Sequence, residues 1–222
     1  MNFRNAAAVC LIMVIFSCSK DKSVEKDNSH SSDSTSYQPV SAGSTWHYHD
    51  DLNQNGGFTL TATGKDTLIN GTKFYIFSNK PDTSSQIIET CFGQEDNNYY
   101  AVGLLSSLGD NVMLYLKDTS KLNATWTQNV SLNIPQLGNV NAELDFTLAE
   151  VNATETVNNK TYKQVAHVAL EILAIFPAPL GKQPTGITGD MYFARGIGVI
   201  SVQLQNNQSA VSGLSLDSYT IQ

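Results

Sequence analysis

Basic residues are scarce in this chain, cysteine is scarcer, and no apolar run reaches the length needed to cross a bilayer as a helix. Thirteen Lys and Arg stand against 20 Asp and Glu, a formal charge of −7 over 222 residues. That field repels phosphate backbones and anionic lipid, so nucleic acid is not an expected partner and solubility is the use of the charge. A spanning helix needs about 20 apolar residues, and the longest apolar run, from Ala6 to Phe16, falls short. Long amphipathic helices are missing as well. Ser106 to Lys117 comes nearest, and Gly109 and Asn111 argue against it. Among Glu89, Glu95, Glu143, Glu150 and Glu171 no pair is recognisable as a general acid and base, although carboxylates far apart in sequence can meet in a fold. No cofactor signature is present, and none is expected.

What is there begins with residues 1–17, which have the shape of a secretory signal: Arg4 in a short polar start, the apolar run, then a small residue before Cys18. Ile15-Phe16-Ser17-Cys18 resembles the lipobox of bacterial lipoproteins, with Phe16 departing from the small residue usual at its place. The resemblance implies cleavage before Cys18, a diacylglycerol on its thiol and acylation of the freed amine. Two or three chains, at roughly 0.8 kcal/mol for each buried CH₂, anchor far more firmly than one. An ordinary cleaved signal followed by a chance cysteine is the alternative. On the lipoprotein reading Cys10 leaves with the signal and Cys91 is the remaining free thiol, expected to be buried and inert, with no disulfide to help the fold. The processed chain carries 12 basic against 20 acidic residues, a charge of about −8.

Residues 18–36 form the next unit: the lipidated cysteine and a Ser-, Asp-, Lys- and Asn-rich stretch in which Val24 is the lone aliphatic residue. Such a segment buries too little apolar area to offset its ordering entropy, so a flexible tether is expected, with an end-to-end distance on the order of 25 Å. Ser19-Lys20-Asp21-Lys22 resembles the charged stretch after the lipid cysteine in outer-membrane lipoproteins of Bacteroidota-type bacteria. That implies an outer-membrane address, facing the periplasm or the cell surface.

From residue 37 to 222 the pattern turns to period two. Strands are predicted at Thr45 to His49, Phe58 to Thr63, Lys73 to Phe77, Ile87 to Cys91, Tyr99 to Gly103, Val112 to Leu116, Ala142 to Val151, Tyr162 to Ile175, Tyr192 to Ala194, Val199 to Leu204 and Leu214 to Ile221. Asn70-Gly71 is a hairpin signal. The fold class is mainly β: an antiparallel sheet, as a sandwich or an open half-barrel. Phe58 to Phe77 aligns without gaps on Phe146 to Val165, Thr45-Trp46 and Thr125-Trp126 precede the two copies, and Tyr99 to Gly103 parallels Tyr192 to Gly196. Duplication would give two similar β halves sharing one core; convergent strand-turn-strand chemistry explains the same likeness. In order, Tyr37 to Tyr48, Thr125-Trp126, Val157 to Tyr162 and Tyr192 to Ile200 resemble a broad group of β-rich envelope lipoproteins. The resemblance implies a fold and an address, and no activity.

The candidate sites are few. His47 and His49 project from one face of a strand, opposite Trp46 and Tyr48, a spacing that holds a metal when further ligands join; two exposed histidines on a polar face are the alternative. Asp51, Asn53, Asn55 and Gly56 have the spacing of the first half of a calcium loop, but Ala62 stands where the closing Glu belongs, and an Asn- and Gly-rich hairpin loop explains them equally. Arg195 can meet an anion, while Gly196 and Gly198 mark a bulge or tight approach. His167, among Val165, Ala166, Val168 and Ala169, is expected to be a satisfied core histidine. Three functions follow: a non-enzymatic envelope module meeting a protein, a glycan or a lipid; a carrier holding an apolar ligand against a concave sheet; or a glycan-active enzyme. An apolar cavity separates the second, and a cleft with facing carboxylates the third.

Overall fold

The computed structural model describes residues 35–53, 56–104, 111–134 and 138–222. The expected signal segment, Cys18 and nearly all of the expected tether lie outside the described residues, as does Asn55. The strands are β1 (Thr45–Asp50), β2 (Gly57–Ile69), β3 (Thr72–Pro81), β4 (Ile88–Glu95), β5 (Asn98–Val102), β6 (Met113–Lys117), β7 (Thr125–Ile134), β8 (Gly138–Val157), β9 (Lys160–Ile175), β10 (Lys182–Ala194), β11 (Gly198–Asn206) and β12 (Ser209–Thr220). All pair antiparallel in one sheet of order β6-β5-β4-β3-β2-β1-β12-β11-β10-β9-β8-β7. Each strand therefore lies beside its neighbour in sequence, except that the first pairs with the last and β6 and β7 are left as the two edges.

The turns explain the abundance of asparagine. Four hairpins are closed by two residues of positive φ: Asn70-Gly71, Asp96-Asn97, Asn158-Asn159 and Asn207-Gln208. Such turns match the twist of the strands they join, and Asn, Asp and Gly reach this region most cheaply.

Alternation then sorts the side chains. Trp46, Leu60, Phe77, Phe92, Tyr115, Leu144, Phe146, Val168, Met191 and Phe193 are buried on the inner face, while Glu143, Asp145, Glu171 and Asp190 take alternate, outward positions on β8–β10. An apolar interior with charge outside is the reverse of a membrane-spanning barrel. The sheet curls until its edges meet. Tyr115 on β6 stacks on Phe193 of β10 across the interior, ring centroids 4.9 Å apart, and β6 reaches β7 through side chains. Gln128 on β7 accepts from the Leu114 amide at 3.0 Å and donates to the Val112 carbonyl. Trp126 Nε1 donates to the Leu114 carbonyl at 2.9 Å, and Asn111 Nδ2 to the Ser131 carbonyl at 3.0 Å. The primary amide of Gln128 thus stands in for a backbone amide, and the result is a nearly closed, 12-stranded barrel.

The expected antiparallel β fold is what is found, and the strands extend the predicted ones at most ends. β7 is the strand that the alternation did not predict. The repeat holds for three strands of each half: Trp46 and Trp126 open β1 and β7, β2 breaks register between Ala62 and Lys65, and β8 breaks it between the aligned Glu150 and Ala153. Tyr99 and Tyr192 do not fit it, since β5 is fifth in its half and β10 is fourth in the other.

Candidate functional site: an apolar cavity at one end of the barrel

The two ends of the barrel differ. At one end the chain enters. Residues 35–44 cross it before β1, with Tyr37, Gln38 and Ser44 buried. Gly196 N donates to the Ser36 carbonyl at 2.7 Å, and the Tyr37 amide donates to the Tyr99 hydroxyl at 3.2 Å. Arg195 clasps the segment: Nη1 donates to the Thr35 carbonyl at 2.6 Å, Nη2 to Asp118 Oδ1 at 2.6 Å, and the guanidinium lies 4.3 Å from the Tyr37 ring centroid. Burial opposes the charge of Arg195, but the Asp118 hydrogen bond and the electrostatic attraction of Tyr37 and Asp118 outweigh it and its pKa is raised. Gly198, at φ 113°, faces the Gln38 side chain and Trp46 Nε1; a Cβ there would press on Gln38 Oε1 and adopt a backbone conformation that side chains rarely take.

Beyond the plug an aromatic floor crosses the interior. Trp46, Phe77, Phe92, Tyr115 and Phe193 contact one another in sequence at centroid distances from 4.9 to 6.4 Å. Each buried ring contributes on the order of 2–3 kcal/mol by leaving water. Trp46 Nε1 donates to the Ile197 carbonyl and the Tyr48 hydroxyl to that of Val199 on β11, next but one to β1 in the sheet, whereas the Tyr115 hydroxyl is buried without a hydrogen-bond partner. Burial raises the pKa of Tyr48 and, with a smaller push from Tyr99, that of Tyr115.

Above the floor the inner faces do not meet, and a cavity of about 800 Å³ remains. Its wall is mostly apolar: Tyr48, Phe58, Leu60, Ile88, Phe92, Leu104, Leu132, Ile172, Ile187, Val199, Leu204, Val211 and Leu214. Asp50, Asn79, Thr90 and Ser212 add polar groups. Asp50 Oδ1 accepts from the Leu52 amide at 3.0 Å, whereas Asn79 Oδ1 is buried without a hydrogen-bond partner. Size and lining fall within the range of small-molecule sites, about 300–1,000 Å³ of mostly apolar surface with a few polar groups.

A second, shallower hollow of about 500 Å³ lies across β7–β10, with Asp145, Glu171 and Asp190 among its lining. Asp145 faces Glu171 on the neighbouring strand. Burial, then the nearby Glu143, raises the pKa of Asp145, and Lys182 opposes them. Glu143 is itself buried and paired with Lys182 at 2.5 Å.

The residues singled out from sequence are dispersed. His47 Nε2 lies 3.1 Å from Asp82 and Nδ1 3.6 Å from Asp217. His49 is half-buried two residues on, and among the described residues no group of three or more His, Cys, Asp or Glu stands together as metal ligands would. Asp51 turns to β12, accepting from Ser215 Oγ at 2.9 Å; Asn53 packs against Gly56, and Ala62 is in the core, away from the loop. Cys91 is half-buried rather than buried. His167 is satisfied, 2.7 Å from Asp190 Oδ1 and stacked on Tyr192, but on the outward face rather than in the core. Most of the apolar cavity wall lies within strands predicted from the sequence, with Tyr48 the one wall residue assigned to the inner face there.

Fold and cavity together define a class: single-sheet antiparallel barrels, plugged where the chain enters and hollow at the far end. No protein-family model matches this chain, and no curated protein matches it in sequence. Among solved structures it is similar to a predicted lipoprotein from Parabacteroides distasonis, over 85% of this chain and 100% of that one, at 13% identity and a TM-score of 0.55. It is also similar to a predicted exported protein with a YmcC-like fold from Bacteroides fragilis, over 82% of this chain and 97% of that one, at 9% identity and a TM-score of 0.47. The first likeness shows a shared fold.

Proposed function

We propose that this protein is an envelope lipoprotein, anchored to the outer membrane through Cys18, that carries an apolar ligand in the end cavity of its barrel. The cavity is the observation that carries the reading: an interior with room for about 800 Å³ of ligand, walled by Leu, Ile, Val and Phe. Left dry or filled with water, such a wall forgoes contacts that an apolar chain supplies, at roughly 25 cal/mol per Å² removed from water. The lining of the end cavity supports binding over acid–base chemistry; the facing pair Asp145 and Glu171 lies outside it, in the hollow across β7–β10. Asp50 is the cavity's one carboxylate among the described residues and already accepts a backbone hydrogen bond, where a glycosidase needs two facing carboxylates. The signal and lipobox support the address.

The test is a titration with cis-parinaric acid, a fluorescent fatty acid. The protein should bind it with saturation, and Leu214→Trp and Ile187→Trp, which fill the cavity from its wall, should weaken binding at least tenfold with an unchanged β-sheet circular dichroism signal. Equal binding by both variants would remove the cavity from the account.

A further inference from the structure

Among the described residues, several large apolar side chains stand exposed at the mouth of the cavity. Leu52 and Val211 line the cavity edge and remain about half exposed, at 52% and 49%. Ile87, in the β3–β4 connection, is 60% exposed. The β9–β10 connection, residues 176–181, reads Phe-Pro-Ala-Pro-Leu-Gly and carries no charged or hydrogen-bonding side chain; Leu180 at its tip is 62% exposed. Connections at the surface are ordinarily polar, because their backbone groups need water. This one needs little. Pro177 and Pro179 have no N–H, Phe176 N donates to the Gly181 carbonyl at 2.9 Å, and Leu180 N to the Pro177 carbonyl at 3.1 Å. Ile172 is on the cavity wall; at about 3.3 Å per residue the loop stands on the order of 13 Å beyond it.

From this geometry we propose that the mouth docks on the surface of a lipid bilayer, with the 176–181 loop inserted and Leu52, Ile87 and Val211 resting on it. The occupant is argued from continuity. These side chains come from the β1–β2, β3–β4 and β9–β10 connections and from the start of β12, around an opening, so whatever covers them all also covers the mouth, and a bilayer is the covering that joins the cavity wall to hydrocarbon. Charge narrows the surface. Among the described residues near the mouth, Asp50, Asp51, Asp82, Glu89 and Glu143 outnumber Lys80 and Lys182, which favours a neutral, zwitterionic face over an anionic one. The choice of lipid over protein rests on the carrier reading. Plug and mouth are at opposite ends, and the expected flexible tether on the plug side leaves the mouth free to meet a second membrane.

The test uses the full protein, processed by its host, purified from membranes and reconstituted by its own anchor into immobilised donor vesicles. Fluorescent acceptor vesicles of phosphatidylcholine should be captured, and capture should fall at least fivefold for Leu180→Asp and for the pair Leu180→Asp with Ile87→Asp. Leu68→Asp, an equally exposed leucine towards the plugged end, should leave capture unchanged, and phosphatidylglycerol in the acceptor should reduce it. Absence of capture by the unsubstituted protein, or equal loss with Leu68→Asp, would overturn docking. Parinaric acid binding from solution should be unaffected by the loop substitutions, so failure of docking and failure of the carrier reading give different results.

Discussion

Asn79 sits on β3 between Leu60 of β2 and Ile88 of β4, on the cavity wall, with Oδ1 buried and unpartnered. A buried acceptor without a donor costs about 1–3 kcal/mol, and an apolar group of similar shape removes that cost. Asn79→Leu should therefore raise the urea-unfolding free energy by about 1 kcal/mol. A loss of stability of that size would mean that Oδ1 has a partner in solution. The same residue shows what the sequence concealed. Asn79 follows Phe77 by two and shares its inward face, yet a polar residue there reads as the end of a strand. Leu60, Ile172, Leu204 and Leu214 fall within strands predicted from the sequence. Whether such residues touch one another or line a void depends on the radius to which the sheet curls, and no local pattern encodes that radius.

At the scale of elements, most strands followed from period two, and the hairpin at Asn70-Gly71 from its turn chemistry. β7 escaped because Gln128 occupies an inward position between Trp126 and Val130, where alternation demands an apolar side chain. Its amide is spent on the seam instead. Two hydrogen bonds from one side chain hold the Leu114 amide and the Val112 carbonyl, and the barrel closes there without a backbone ladder. Gln128→Ala leaves both backbone groups unpaired and should destabilise the fold by about 2 kcal/mol, with hydrogen exchange quickened at Leu114 ahead of the centre of β9. Gln128→Glu keeps the acceptor and places a carboxylate against the Val112 carbonyl. Its folded-state pKa is then raised above the unfolded value, so the protein gains stability below the ordinary Glu pKa, where the acid donates, and loses it as pH rises through the raised value. A melting temperature independent of pH from 4 to 7 would contradict this account of the seam.

The whole molecule is a barrel with a direction. Arg195, Tyr37 and the 35–44 segment close the end where the chain enters, an aromatic floor crosses the middle, and the far end is hollow and rimmed with apolar side chains. The sequence leads to the expectation of an anchor followed by a β domain; the polarity of the barrel came only with the register, which brings Trp46 to the plug and Asp50 to the mouth along one strand of six residues. The most direct measurement is a crystal structure of the protein grown with 12-bromododecanoate, its bromine located by anomalous scattering. The carrier account predicts bromine inside the barrel above Phe92, among Leu60, Leu132 and Leu204. Bromine confined to the outer hollow beside Asp145, or absent from the barrel at saturating ligand, would contradict it.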